Sequence, residues 1–341
     1  MKNVFKVLGV IALAAVIGFS MVSCKGDDDE EDKNNGETWT KVKDSTFGTD
    51  TIRAIVYGGG KFVAGGNNGK IAYSSDGASW TAVDTGTIFD YLDGTTPRKG
   101  NIQAIAYGSG KFVAVSYSGK MAYSSDGATW TAVVDSTFGT DNILGIASSG
   151  INFVAVGYNG KMATSADGIT WIAKTGNTFG GASSRIYSIA YGGATGQEKF
   201  VAVGAGPNVQ GARIAYSSDG ATWTRAAEDI TFRSWLTSIG YGNGKFFVCG
   251  SQDIATSPDG VTWTNESGIS FNAIAYGNGK YVAVSNYSSI STSPDGVTWT
   301  EVENKDNKFD TNVNTTISAV AYGGGKFVAG GEKGQMAYLS W

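Results

Sequence analysis

From about residue 38 onward, the chain consists of short apolar runs separated by polar turns that are rich in glycine. The copy at residues 102–133 has four such runs, with Gly-Ser-Gly, Tyr-Ser-Gly and Asp-Gly turns between them. Runs of this length, bounded by turn residues, are typical of β-strands. The pattern returns at intervals of roughly 40–45 residues, so the sequence predicts repeated four-stranded units. The first runs of the seven copies begin at Ile52, Ile102, Ile143, Ile186, Leu236, Phe271 and Ile317.

The two ends of the repeated region complement each other. The copy that begins at Ile317 has only three runs, whereas residues 37–42, Glu-Thr-Trp-Thr-Lys-Val, form a fourth run with no copy in front of it. Pairing the two would complete one sheet and leave no frayed edge. We therefore predict an all-β fold, a seven-bladed β-propeller of four-stranded antiparallel blades over residues 38–341, closed by the N-terminal strand. The alternative is an open solenoid with capping units.

Six copies share the motif Ser-x-Asp-Gly-x-x-Trp. Asp-Gly between β-rich runs is a strong hairpin signal, because glycine tolerates positive φ and the aspartate accepts hydrogen bonds from N–H groups of its own turn. The tryptophan offers a large apolar surface that we expect to pack against a neighbouring sheet. The aspartates are Asp76, Asp126, Asp167, Asp219, Asp259 and Asp295, and the tryptophans are Trp80, Trp130, Trp171, Trp223, Trp263 and Trp299.

This motif resembles the Asp-box, or bacterial neuraminidase repeat, of sialidases, some multi-propeller glycoside hydrolases, sortilin-type receptors and photosystem II assembly factors. In those families the box is a folding element without a chemical role. The resemblance therefore implies the architecture and leaves the ligand open. It also implies that ligands bind on the face opposite to the boxes, at the mouth of the central channel.

The first 37 residues predict a route out of the cytoplasm. Residues 1–23 carry two lysines, an apolar run and small residues before Cys24, which is typical of a secretory signal. Cys24 resembles the lipidated cysteine of a bacterial lipoprotein; an uncleaved membrane anchor is the alternative. Residues 24–37 contain an acidic block, which predicts a disordered tether. We expect an outer-membrane lipoprotein, with the acidic block acting as a surface-export signal or as a mere spacer.

Charge and cysteine content restrict the partners. The chain has 26 basic and 30 acidic residues, and the acidic block accounts for most of the difference. A near-neutral folded part does not favour nucleic acid. Cys249 is the one cysteine besides Cys24, so no disulfide is expected, and we interpret it as a small buried residue. We expect a monomer whose contact with the membrane is the lipid alone.

The chain contains no histidine, which removes the Ser-His-Asp and Cys-His types of catalysis and most transition-metal sites. We expect no catalytic residues, no metal and no cofactor. A sialidase-like glycoside hydrolase is the less favoured alternative, because two carboxylates across a cleft would suffice for glycoside hydrolysis. The candidate carboxylates are Asp90, Asp93, Asp253 and Glu332.

The second residue of each innermost strand would line the channel mouth, by analogy with the related propellers, and it varies between copies. Aromatic rings and amides at such positions suit sugars or protein loops, since they combine flat apolar area with paired donors and acceptors. A solvated channel and ordinary turn chemistry are the alternatives. The candidate ligand-binding residues are Arg53, Gln103, Tyr187, Thr237 and Asn272 in the strands and Tyr117, Tyr158 and Tyr287 in the turns of the same face; Leu144 and Ser318 share the strand position.

Four cations share one strand position in consecutive copies: Lys70, Lys120, Lys161 and Arg213. They could favour an anionic ligand on one side of the ring, or they could keep strand edges soluble.

The connectors repeat a phenylalanine, as in Phe47, Phe138 and Phe179, which we expect to pack at the crossover between copies. The connector at 84–101 is much longer than its sisters, and longer loops often carry function.

The sequence thus favours a non-catalytic envelope lipoprotein that binds a glycan or a protein on the variable face. An assembly or scaffold factor for an envelope complex is the alternative.

Overall fold

The computed structural model of the protein describes residues 38–340, except 177, 207–211, 227–231, 233–234, 251–253, 267–269, 303–308 and 310–314. These residues form seven four-stranded antiparallel sheets and one two-stranded hairpin. The first fifteen strands are β1 (Trp39–Lys41), β2 (Ile52–Gly58), β3 (Lys61–Gly66), β4 (Ile71–Ser74), β5 (Thr81–Val83), β6 (Asp90–Asp93), β7 (Thr96–Lys99), β8 (Ile102–Gly108), β9 (Lys111–Ser116), β10 (Met121–Ser124), β11 (Thr131–Ala132), β12 (Ile143–Ser148), β13 (Phe153–Gly157), β14 (Met162–Ser165) and β15 (Ile172–Lys174). The others are β16 (Arg185–Gly192), β17 (Lys199–Ala205), β18 (Ala212–Ser217), β19 (Thr224–Arg225), β20 (Leu236–Gly242), β21 (Lys245–Gly250), β22 (Ile254–Ser257), β23 (Thr264–Glu266), β24 (Ala273–Gly277), β25 (Lys280–Val284), β26 (Ile290–Ser293), β27 (Thr300–Glu301), β28 (Ile317–Gly323), β29 (Lys326–Gly331) and β30 (Met336–Ser340).

The sheets are the blades of a closed ring. Blade 1 consists of β2 to β5, blades 2 to 6 follow in sequence from β8 to β27, and blade 7 consists of β28, β29, β30 and β1. The first strand of each blade contacts the first strands of both neighbouring blades, and β28 contacts β2. The chain is a seven-bladed β-propeller. This confirms the predicted fold class and excludes the open solenoid.

The N-terminal strand completes the last blade, as the sequence predicts. In β1, Trp39 pairs with Leu339 and Lys41 pairs with Ala337. Trp39 is only 4% exposed and packs in the cluster that contains Phe327. It takes the place that the motif tryptophans hold in the other blades, which explains why blade 7 needs no Ser-x-Asp-Gly-x-x-Trp turn of its own.

The core lies between blades. Phe62, Ala72 and Trp80 of blade 1, for example, pack against Val328 and Met336 of blade 7 in one buried cluster. The same arrangement recurs at the interfaces that contain Trp130 and Trp171. Burying a tryptophan against the neighbouring sheet removes a large apolar area from water, so the blades stabilise one another around the ring.

The Ser-x-Asp-Gly turns satisfy their own backbone. In blade 2, Oδ1 of Asp126 accepts hydrogen bonds from the N–H groups of Ala128 (2.8 Å) and Thr129 (2.7 Å) and from Oγ of Ser124 (2.9 Å). Gly127 has φ of 73°, which is why glycine follows the aspartate. These bonds hold the pKa of Asp126 at about 2, with the Thr129 bond contributing most. The pKa values of Asp76, Asp167, Asp219, Asp259 and Asp295 are lowered as well.

The antiparallel strands define two faces of the ring. One, the mouth face, carries the turns between the second and third strands of each blade and the connectors between blades. The opposite face carries the first hairpins and the Ser-x-Asp-Gly turns, where Nζ of Lys61 in blade 1 donates to the carbonyl of Asp126 in blade 2 at 2.7 Å. Among the described residues, no helix is long and apolar enough to cross a membrane.

The connector phenylalanines pack as expected. Phe47, Phe138 and Phe179 are fully buried, each beside the first residue of the blade that follows. The long connector contains Phe89, which is 2% exposed and occupies the same kind of site in blade 2. Its extra residues form the β6–β7 hairpin.

Candidate binding site at the channel mouth

A cavity of about 500 Å³ opens at the centre of the ring. Its walls come from the three residues that follow the first apolar residue of each copy, such as Arg53 to Ile55 after Ile52, together with Thr316. All five strand residues predicted from the sequence line this cavity: Arg53, Gln103, Tyr187, Thr237 and Asn272. Leu144 and Ser318 complete the seven-membered ring at this level.

A local irregularity of the strands directs these side chains. In β2 the pairing with β3 shifts between Ile52 and Ala54, so Arg53 has no partner residue in the ladder. Such a bulge bends the strand and re-aims the side chain of the extra residue. Equivalent shifts occur at Gln103, Leu144, Tyr187, Thr237 and Ser318.

In blade 6 the corresponding residue, Asn272, also lies outside the regular ladder, but without a bulge. The inner strand of this blade begins two residues later, at Ala273 instead of Phe271, and the N–H of Asn272 donates to the carbonyl of Val284 at 2.7 Å. The varying residue of each copy is therefore excluded from regular pairing and faces the channel.

One side of the mouth is polar. Nε of Arg53 donates to Oδ1 of Asn67 at 2.6 Å, which links the inner strand of blade 1 to its second turn. On blade 6, Nδ2 of Asn272 donates to Oδ1 of Asn286 (3.1 Å) and to the carbonyl of Ile317 (3.0 Å). These bonds fix the orientation of both side chains before a ligand arrives.

The other side of the mouth is aromatic. The rings of Tyr187 and Trp235 are nearly parallel, with an angle of 15° and 6.2 Å between their centroids. The guanidinium of Arg185 lies 4.8 Å from the centroid of the Tyr158 ring. A hydrogen bond to the Tyr187 side chain, and the nearby Tyr158, raise the pKa of Arg185 above its usual value. We call Tyr158, Arg185, Tyr187 and Trp235 the aromatic wall.

Two members of the aromatic wall escaped the sequence analysis. Arg185 and Trp235 directly precede the first apolar residues of their copies, Ile186 and Leu236, where other copies carry Thr51, Asn101 and Asn142. The change from small polar residues to arginine and tryptophan at this position could have identified both as candidate binding residues. Trp235 keeps 39% of its surface exposed, which is unusual for a tryptophan.

The predicted turn tyrosines do not share one location. Tyr158 belongs to the aromatic wall, and its backbone bridges to Arg185. Tyr117 follows β9 and Tyr287 follows β25, and neither lines the cavity. Tyr287 is 73% exposed and has φ of 60°, so it belongs to the outer rim of the mouth face.

Three of the four aligned cations hold connectors, which corrects both interpretations offered for them. Nζ of Lys70 donates to the carbonyl of Phe47 at 2.8 Å and pairs with Asp50 at 2.8 Å. Lys161 makes the same contacts at 2.8 and 2.7 Å with the corresponding residues, Phe138 and Asp141. Arg213 donates to the carbonyl of Phe179 at 2.6 Å. These side chains therefore hold the connector that leads into their own blade.

The candidate carboxylates of a hydrolase are also engaged. Asp90 pairs with Lys99 at 3.6 Å and Asp93 with Arg98 at 3.8 Å, all within the β6–β7 hairpin. Glu332 accepts the backbone N–H of Thr316 at 3.1 Å. Asp253 lies outside the described residues. Within the part of the chain that the structure describes, no group of three or more Asp, Glu or Cys side chains is arranged to hold a metal ion.

Comparison with known proteins agrees with this architecture. The family described as the DUF6242 beta propeller domain matches residues 194–322. The chain is similar to that propeller domain. A search of curated proteins finds no match.

Solved structures with the same fold cover the whole ring. YCF48 bound to D1 peptide is 16% identical, with a TM-score of 0.65 over 90% of this chain and 97% of that chain. YCF48 from Cyanidioschyzon merolae is 14% identical, with a TM-score of 0.65 over 89% and 98%. Virginiamycin B lyase from Staphylococcus aureus with quinupristin is 12% identical, with a TM-score of 0.66 over 89% and 99%. At these identities the likeness extends to the fold alone.

Proposed function

We propose that this protein is a non-catalytic binding module that holds a segment of a partner protein at the channel mouth. The observation that carries the proposal is a cavity lined on one side by Tyr187, on which Trp235 stacks, and on the other by the pre-oriented Arg53 and Asn272. Aromatic rings supply much of the contact energy of binding sites at a low entropic cost, and oriented polar groups supply the selectivity. A role as an assembly scaffold is one form of this function.

Two considerations favour a protein ligand. The cavity of about 500 Å³ is large enough for a few side chains of an inserted segment. The similarly folded YCF48 has been solved bound to D1 peptide. A glycan remains a second ligand class, because the face of a sugar ring also packs on aromatic rings such as Tyr187 and Trp235.

We infer that the six Ser-x-Asp-Gly-x-x-Trp turns are Asp-boxes with a folding role alone. Their aspartates bind their own turns, as at Asp126, and they lie on the face opposite to the cavity. Asp90, Asp93 and Glu332 do not line the cavity and so provide no acid and base across it, and we therefore favour binding over glycoside hydrolysis.

We also propose that the module is displayed on the cell envelope by a lipid on Cys24, in the outer membrane. Strand β1 runs antiparallel to β30, which begins on the mouth face after the turn Glu332–Gly334. Thr38 therefore lies at the face of the propeller opposite to the mouth. Globomycin treatment, which blocks removal of lipoprotein signals, should then cause an unprocessed form to accumulate; unchanged processing contradicts the lipid anchor.

Binding of the purified full chain to peptide and glycan arrays tests the function. We expect selective peptide binding that Tyr187→Ala and Trp235→Ala each weaken by about tenfold or more, as for an aromatic anchor. Tyr287→Ala is the matched control, because this tyrosine is exposed outside the cavity. Thermal unfolding of each variant separates a loss of the site from a loss of the fold.

Each other outcome has a clear meaning. Selective glycan binding with the same response to Tyr187→Ala and Trp235→Ala keeps the site and overturns the protein ligand. Loss of binding in Tyr287→Ala alone moves the site to the outer rim. No saturable binding to either array contradicts the binding module.

A further inference from the structure

Lys120 is the exception among the four aligned cations. It stands in blade 2 at the position that Lys70 holds in blade 1 and Lys161 in blade 3. Both of those lysines bond a connector carbonyl and an aspartate. The Lys120 side chain has no hydrogen-bond or ion-pair partner among the described residues.

The connector that contains the β6–β7 hairpin differs at both positions that bond Lys70 and Lys161 in the other blades. The carbonyl of Phe89, the counterpart of Phe47, accepts the N–H of Gly100 at 2.8 Å, so a backbone group takes the place of a lysine. Gly100 also stands just before Asn101, where the connectors of the neighbouring blades carry Asp50 and Asp141. In blade 2 the connector therefore has no aspartate at this position, and its phenylalanine carbonyl already accepts a backbone N–H.

The connectors that contain Phe47, Phe89 and Phe138 are equivalent in their packing as well as in their sequence. Phe47, Phe89 and Phe138 each pack with the first inner-strand residue and the motif tryptophan of the blade they enter. All three are almost completely buried. Lys120 thus lies beside a connector of the ordinary kind, on the mouth face; the residue is partly buried, and its ammonium group is unpaired among the described residues.

A second cation on this side of the mouth also keeps donors without a partner. Arg53 of the neighbouring blade uses Nε to bind Asn67, and its two Nη groups have no partner among the described residues. Three carboxylates of the same face are paired with other cations: Asp50 with Lys70, Asp90 with Lys99 and Asp93 with Arg98. Asp84 and Asp135 accept backbone N–H groups, of Gly86 at 2.9 Å and of Thr137 at 2.7 Å, and have no cationic partner among the described residues.

We propose that Lys120 and Arg53 form an anion subsite for the carboxylates of an acidic segment in the partner protein. The proposal rests on the binding function of the mouth face and adds the charge of its ligand. An ammonium and a guanidinium on adjacent blades can each donate charge-assisted hydrogen bonds to a carboxylate. The aromatic wall on blades 3 to 5 then receives the apolar part of the same segment.

Binding of short fluorescein-labelled poly-L-glutamate to the full chain, followed by anisotropy at low salt, tests the subsite. We expect saturable binding that Lys120→Ala weakens about threefold or more, and that weakens further as salt is added. Lys161→Ala is the matched control, since it removes the same side chain from the same strand position. It should bind poly-L-glutamate as the wild type does but melt at a lower temperature, because it loses the Phe138 contact.

Chemical labelling gives a readout that does not depend on folding of a variant. Under limited acetylation of the native chain, Lys120 should react before Lys70 and Lys161, and poly-L-glutamate should protect it. Equal reactivity of the three lysines, or a Lys120→Ala variant that melts early and binds normally, overturns the proposal. Polygalacturonate that binds and protects Lys120 where poly-L-glutamate does not would overturn the assignment to a protein segment.

These experiments distinguish a failure of the anion subsite from a failure of the binding module. If poly-L-glutamate does not bind but array ligands still depend on Trp235, the acidic ligand is wrong and the binding module stands. If neither binds, the binding module itself is wrong.

Discussion

The hydrogen bonds to Asp126 predict a measurable dependence of stability on pH. The folded turn lowers the pKa of this carboxyl from 3.8 to about 2, chiefly through the N–H of Thr129. That difference corresponds to at most about 2.5 kcal/mol of stability. Because the carboxylate is exposed to solvent, we reduce the expected contribution to about 1 kcal/mol.

The direction of the pKa shift determines how the stability of the protein changes with pH. A carboxyl whose pKa is lower in the folded state stabilises the protein above the unfolded pKa of 3.8, and it loses this effect as pH falls towards about 2. Asp126→Asn keeps an oxygen acceptor for Ala128 and Thr129 and removes only the charge. The variant should therefore be less stable than the wild type by about 1 kcal/mol at neutral pH, and the gap should close in acid.

Urea unfolding followed by tryptophan fluorescence, from about pH 7 down to about pH 2.5, measures this gap. Asp126→Ala is the second variant, since it also leaves the N–H groups of Ala128 and Thr129 without their acceptor. It should lose roughly a further 1 kcal/mol that does not depend on pH. If Asp126→Asn matches the wild type at neutral pH, or if its deficit persists unchanged in acid, the charge does not stabilise the turn and the reasoning is refuted.

Three further predictions concern the ring. Gly323→Ala should cost about 1–3 kcal/mol, because a Cβ there would overlap the ring of Tyr57 in the next blade. Gly181→Ala has open space and should be nearly neutral in the same urea titration. Trp39→Ala should cost about 3–5 kcal/mol by urea unfolding if β1 completes the last blade, and a loss below about 1 kcal/mol would contradict that closure. Burial raises the pKa of Cys249 to about 12, so in a Cys24→Ser background a maleimide should label it only after unfolding, and labelling of the native chain would contradict its burial.

The architecture could be predicted because the repeat exposes it. Each copy carries the same turn residues and the same tryptophan, and the unmatched runs at the two ends differ in a way that only ring closure explains. Trp39 illustrates this point, since its four-residue context Trp-Thr-Lys-Val resembles the outer strands of complete copies. Comparison of copies therefore predicts the fold and its closure from a single sequence.

The channel mouth was only partly predictable. The resemblance to known propellers identified the ring position of Arg53 and Tyr187, but not the bulge that directs them into the channel, because a bulge depends on the register between two strands. Trp235 was missed because it lies outside the strand that the repeat defines. The contacts of Lys70 and Lys161 were not predicted, because each lysine bonds both a backbone carbonyl, which the side-chain pattern does not show, and an aspartate about 20 residues earlier in the chain.

A residue that departs from the repeat can be interpreted once the structure shows which contacts the corresponding residue makes in the other copies. Lys120 looks conventional in the sequence, since it matches Lys70 and Lys161. It becomes unusual only because Gly100 has taken the carbonyl of Phe89 and no aspartate follows. Trp235 is unusual in sequence but gains meaning only from its stacking on Tyr187. Both residues lie on the mouth face, which is why we place ligand recognition there rather than in the six well-satisfied turns on the opposite face.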